Sequence, residues 1–80
     1  MVNYYTIKER IRRKSETLQH ITQYPGSSLA TVPSFLAHQP TMGGVNPDTV
    51  MSYITELLEE GSIYVKGGNI YPTDYKEESP

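Results

Sequence analysis

The stretch from Asn46 to Pro72 constrains this chain more than any other. It reads as one amphipathic helix running directly into a tight two-stranded hairpin. Asn46 suits the cap position, where a side-chain oxygen accepts from an unpaired first-turn N–H. Pro47 follows at the one helical position where a missing N–H costs nothing, and Asp48 sets negative charge at the positive end of the helix dipole. Val50, Ile54, Leu57 and Leu58 recur at helical spacing, with Met51 and Tyr53 flanking the stripe. Gly61, just after Glu59 and Glu60, is the natural left-handed stop.

Gly67-Gly68 then supplies the positive φ that a two-residue hairpin turn demands. With that pair as the loop, Lys66 opposes Asn69, Val65 opposes Ile70, Tyr64 opposes Tyr71 and Ile63 opposes Pro72. Ile63, Val65 and Ile70 fall on one face, and Tyr64, Lys66, Asn69 and Tyr71 on the other. A slip of one residue would mix these faces, so the pattern fixes the register.

The rest of the chain has to build a core around this unit. Thr6-Ile7-Lys8-Glu9 fits a capping box, and Ile7, Ile11, Leu18 and Ile21 follow on one face, with Lys14 snorkelling from the intervening slot. The spacing predicts a first helix over 6–23, stopped by Tyr24-Pro25-Gly26. Ser27 to Ala30 reads either as a brief strand or as loop. Thr31 then caps a short second helix with Pro33 in its first turn and Val32, Phe35 and Leu36 on its apolar face, ended by Pro40. Residues 39–45 turn the chain into the main helix. The expected organisation is a single α+β domain over 1–73 and a loose acidic tail over 74–80.

Charge is segregated. Residues 8–14 hold Lys8, Arg10, Arg12, Arg13 and Lys14 against Glu9, a net +4 in a chain whose total is −2. The absence of cysteine excludes a disulfide framework and thiolate metal sites. No secretory leader and no apolar run of spanning length is evident, so a soluble, intracellular, cytoplasmic protein is the expectation.

The order helix, short strand, helix, turn, helix, hairpin resembles the winged-helix (winged helix-turn-helix) family over about residues 6–73. The resemblance is carried by Val50 to Gly61 followed by Ser62-Ile63-Tyr64-Val65-Lys66-Gly67-Gly68-Asn69-Ile70-Tyr71-Pro72. It implies three helices with a C-terminal wing hairpin, the segment 27–30 pairing beside the wing, and the helix at 46–60 as the recognition helix. It also implies a DNA-binding transcriptional regulator acting on duplex DNA, expected as a homodimer.

On that reading the solvent side of the recognition helix presents Asn46, Thr49, Ser52 and Tyr53, and the wing offers Lys66 and Asn69. Arg12 and Arg13 are candidate phosphate contacts. Each candidate has a plainer account. On it Asn46 is only a cap, Tyr64 and Tyr71 are a cross-strand packing pair, and the basic residues are a solvated surface or partners for the acidic tail or for Glu56–Glu60 of a second subunit. The recognition helix carries no Arg or Lys, while Glu56 and Glu59 would repel phosphate. These features, with Tyr4, Tyr5, Tyr24 and Tyr75 as an amphipathic surface, support the alternative of a protein-interaction module or inhibitor. His20, opposite the apolar seam, reads as solvent-facing. Neither His20 nor His38 has metal-ligand spacing, and no nucleophile motif or phosphate loop occurs, so no catalysis, metal or cofactor is expected.

Overall fold

The computed structural model describes residues 4–75, with side chains from residue 7 onward. It is a small α+β domain with three helices, α1 (Tyr4–Gln23), α2 (Val32–Ala37) and α3 (Pro47–Glu60). They are accompanied by a three-stranded antiparallel sheet of β1 (Ser27–Ser28), β2 (Ile63–Lys66) and β3 (Asn69–Pro72).

α3 forms as its sequence dictates. Asn46 is in extended backbone, and its Oδ1 accepts the Thr49 N–H at 2.9 Å. At the far end the Gly61 N–H bonds the Leu58 carbonyl and the Ser62 N–H bonds that of Leu57, closing the helix in a Schellman arrangement. Val50, Tyr53, Ile54 and Leu57 are buried from this helix. They meet Ile21 of α1, Val32 and Leu36 of α2, and Ile63 and Ile70 of the hairpin in one contiguous core.

The hairpin register is Ile63↔Pro72, Tyr64↔Tyr71, Val65↔Ile70 and Lys66↔Asn69, as the facial sorting predicts. Gly67 and Gly68 take φ of +60° and +78°, a conformation in which a side chain would be strained. Tyr64 and Tyr71 stack at 5.3 Å between ring centroids, and Tyr75 continues the row against Tyr71 at 5.1 Å. Val65 shares a face with Ile70 but is exposed, because it lies on the edge strand β2 close to the hairpin turn, past the reach of the helices. The segment after Gly26 settles as a two-residue strand that pairs with β3, not β2, with Ser27 opposite Ile70 and Ser28 opposite Asn69. The sheet order is therefore β1-β3-β2, and the last strand is central.

Several expectations are corrected. α1 is under way by Tyr4, so Thr6 lies within the helix and not at its start, and its side chain is outside the described residues. Only the second half of the α1 stripe is covered. Ile21 is buried and Leu18 half-buried, whereas Ile7 is exposed and Ile11 is 63% exposed. The line that faces α3 is instead Arg10, Lys14, Thr17 and Ile21: Thr17 and Ile21 are fully buried, the Thr17 hydroxyl donates to the Arg13 carbonyl at 2.9 Å, and Arg10 and Lys14 stay partly solvated beside the carboxylates of α3. Thr31 precedes α2 without a side-chain cap bond: its backbone is already helical (φ −105°, ψ −27°) in place of the extended form a cap takes, and its hydroxyl donates to the Ser28 carbonyl. Phe35, assigned to the apolar face of α2, is 53% exposed. Pro40 does not end α2, which stops at Ala37; it opens a 3-10 turn (Pro40–Met42) that inserts Met42 fully into the core. The expected acidic tail lies largely outside the described residues, as do the side chains of Tyr4 and Tyr5.

Candidate functional site

The candidate DNA-reading residues fall on three elements. At the start of α3, Asn46 and Ser52 are exposed and Thr49 is half-buried. Their polar atoms are already engaged locally. Asn46 Oδ1 accepts from both the N–H and the hydroxyl of Thr49, at 2.9 and 3.1 Å, and the Ser52 hydroxyl donates to the Thr49 carbonyl at 3.0 Å. At the hairpin end, Lys66 is exposed and opposes Asn69, which is half-buried because it also pairs with Ser28. On α1, Arg12 is exposed and Arg13 half-buried.

Tyr53 is not on the solvent side of α3. It is 2% exposed, inside the core, and its ring lies 5.5 Å from the Arg10 guanidinium. Its position three after Val50 and four before Leu57 was the available signal: it belongs to the buried stripe. Tyr53 gives Arg10 an aromatic platform, a cation–π contact that the sequence reading missed.

Arg10, Arg12, Arg13 and Lys14 of α1 are each beside a carboxylate of the same chain. Arg10 forms a two-pronged bond to Glu56, Nη1 to Oε1 at 3.0 Å and Nη2 to Oε2. Lys14 bonds Glu60 and lies 3.7 Å from Glu56. The pairs expected with another subunit are thus formed within one molecule, tying α1 to the C-terminal half of α3. Arg12 bonds Glu9 at 3.0 Å, and Arg13 lies 3.6 Å from the same carboxylate. Bonding to Arg10 lowers the Glu56 carboxyl below its ordinary range, and bonding to Arg12 does the same for Glu9. Lys14 is raised by Glu60 and Arg10 by Glu56. All these groups remain solvated, so the pairs position side chains more than they stabilise the fold.

Arg13 has a second constraint. Its guanidinium reaches over the turn after Met42, and a Cβ on Gly43 would come within 2.7 Å of Nη2. Gly43 also has φ +68°, so the backbone favours glycine there, and a Cβ would in addition displace the tip of the Arg13 side chain. The Arg13 Nε is buried without a hydrogen-bond partner among the described residues.

On another side of the molecule, a groove of about 870 Å³ runs between the C-terminal half of α1, β1, α2 and the 3-10 turn. His20 lies on its wall and is not the free solvent-facing residue expected. Its ring sits 5.1 Å from Tyr24 and 5.2 Å from Phe35, and burial lowers its pKa. The i, i+4 spacing of Glu16, His20 and Tyr24 was legible in the sequence; the arrival of Phe35 from α2 was not.

Among the described residues there is no cluster of three or more potential metal ligands, and no helix is long and apolar enough to cross a membrane. No protein-family model, curated protein or solved structure matches the chain.

Proposed function

We propose that the chain is a winged-helix module that binds duplex DNA and regulates transcription, with α3 as the groove-entering helix, β2–β3 as the wing, and a homodimer as the working form. The observation that carries this reading is connectivity. The order α1-β1-α2-α3-β2-β3, with β1 closing onto β3, is compatible with a winged-helix layout and leaves the polar start of α3 exposed. Thr49 and Ser52 have the hydroxyls for base or phosphate contact, and Lys66 stands at the hairpin end where a wing meets the backbone. Asn46 is committed to capping α3, and burial removes Tyr53 from the set.

A titration of mixed-sequence duplex across a salt series tests this proposal. Binding should weaken with salt, and Lys66→Ala should flatten the log–log slope by about 0.9 if Lys66 meets one phosphate. Absence of binding at low salt, or a slope indifferent to Lys66, would overturn it.

A second reading is favoured by one specific observation: Arg10 and Lys14, the α1 cations nearest α3, are paired with Glu56 and Glu60, and α3 itself carries no Lys or Arg while its Asp48 and Glu59 remain exposed. On that reading the domain docks a protein partner instead. Recovery of a stoichiometric protein partner that survives nuclease treatment, with no nucleic acid bound, selects it over the first.

A further inference from the structure

The groove beside His20 has a chemistry distinct from that of the α3 surface. Three rings, Tyr24 just past the end of α1, His20 of α1 and Phe35 of α2, lie side by side, His20 tilted to its two neighbours by 45° and 36°. The two outer rings are open to solvent, Tyr24 by 58% and Phe35 by 53%. Large aromatic side chains left exposed in a cleft, and not turned into the adjacent core, expose apolar area without a folding benefit. The volume, about 870 Å³, is within the range of ligand-binding clefts.

Charge decides what suits it. Glu16 contributes a carboxylate at one end of the groove, and none of the lining residues is a lysine or arginine. Burial favours the neutral form of His20. Aromatic faces are negative at their centres and attract a cation, as does the carboxylate. A polyanion that stacks bases on such rings would meet Glu16 with no basic residue to hold its phosphates. Gln23 and Gln39, also on the groove, carry amides able to bond a peptide backbone.

We propose that this groove receives an arginine side chain of an extended segment in a partner protein, its guanidinium and stem lying along the aromatic row with Glu16 as counter-charge. Arginine fits better than lysine because its planar head stacks on rings while its N–H fork addresses a carboxylate. No residue of α3 or of the hairpin lines the groove. The inference therefore stands or falls independently of the DNA reading.

An NMR titration of the full chain at neutral pH with the peptide acetyl-Gly-Arg-Gly-amide, against its citrulline counterpart, tests the proposal. Citrulline keeps the shape and loses the charge. The expected result is saturable shifts of the Tyr24, His20 and Phe35 ring signals with the arginine peptide, and binding about tenfold weaker with citrulline. Phe35→Ala and Tyr24→Ala should each weaken arginine binding by about threefold to tenfold, and Glu16→Gln should narrow the difference between the two peptides. Phe35 and Tyr24 are exposed, so these variants should leave the signals of α3 and the hairpin in place. Equal binding of the two peptides, the absence of saturable shifts, or shifts confined to Glu56, Glu59 and Glu60 would overturn the proposal. So would displacement of the arginine peptide from the rings by a short oligothymidine.

Discussion

At Asn46 and Gly43, single residues decide the path of the backbone. The Asn46 side chain accepts two bonds from Thr49, one of them from the first-turn N–H, whose other acceptor is the Asn46 carbonyl at 3.1 Å. Asn46→Ala should cost about 1 kcal/mol in chemical denaturation, and Asn46→Asp should retain most of the stability because it keeps the accepting oxygen. If Asn46→Ala changed DNA affinity while Asn46→Asp restored stability alone, the residue would have a role beyond the cap. Gly43 and Gly44 both have positive φ, but only Gly43 has Arg13 above it. Gly44→Ala should therefore cost only the left-handed backbone penalty, about 1–2 kcal/mol. Gly43→Ala should cost more, and Arg13→Ala should recover part of the excess in a double-mutant cycle. Additive effects of Gly43→Ala and Arg13→Ala would show that the guanidinium does not press on the turn.

Among the elements, α3 and the hairpin are legible in the sequence because each is specified locally. Caps, a periodic apolar stripe and a two-glycine turn agree with one another over a continuous stretch. α1 is less legible, because the covered side of a helix is chosen by what packs on it. Its stripe of Ile7, Ile11, Leu18 and Ile21 is regular, yet α3 meets the neighbouring line of Arg10, Lys14 and Ile21 through its carboxylates and Tyr53. Periodicity gives no sign that Arg10 belongs with Tyr53. Met42, isolated between Pro40 and Gly43, likewise belongs to no stripe and enters the core only through the geometry of a 3-10 turn. The candidate site divides the same way. Thr49, Ser52 and Lys66 were placed by local pattern, whereas Tyr53 was lost to the core and the grouping of His20 with Phe35 required two elements to meet. The two halves of α1 should answer mutation differently. Ile21→Ala should cost about 2–5 kcal/mol, as for other deletions in a packed interior. Ile11→Ala should stay within about 0.5 kcal/mol in thermal or urea unfolding at low protein concentration. A large loss at Ile11 would mean that its side is covered in solution.

The whole molecule depends on contacts between distant parts of the chain. Arg10 and Lys14 reach across to Glu56 and Glu60, and the carboxylates of Glu56 and Glu9, both with lowered pKa, are each held by an arginine. Because their native pKa values lie below the unfolded ones, their contribution is complete above the ordinary carboxylate range and disappears as pH falls through the native values. Lys14 acts in the opposite direction: its raised pKa makes its contribution complete at neutral pH and lost only as pH rises through the native value. The domain should hold a stability plateau through neutral pH and lose ground on acidification. Glu56→Gln should reduce that acid-side slope in a series of urea melts, and about 1 M salt should weaken the coupling between Arg10 and Glu56. An unchanged acid slope in Glu56→Gln would remove this pair from the pH response. The sheet order has a consequence for biosynthesis. Because β3 lies between β1 and β2 and brings Ile70 into the core, a nascent chain that has emerged only as far as Lys66 has nothing to close Ser27 and Ser28 against. Chains arrested on the ribosome before Pro72 emerges should remain sensitive to protease, and the passage to resistance should come late and in one step.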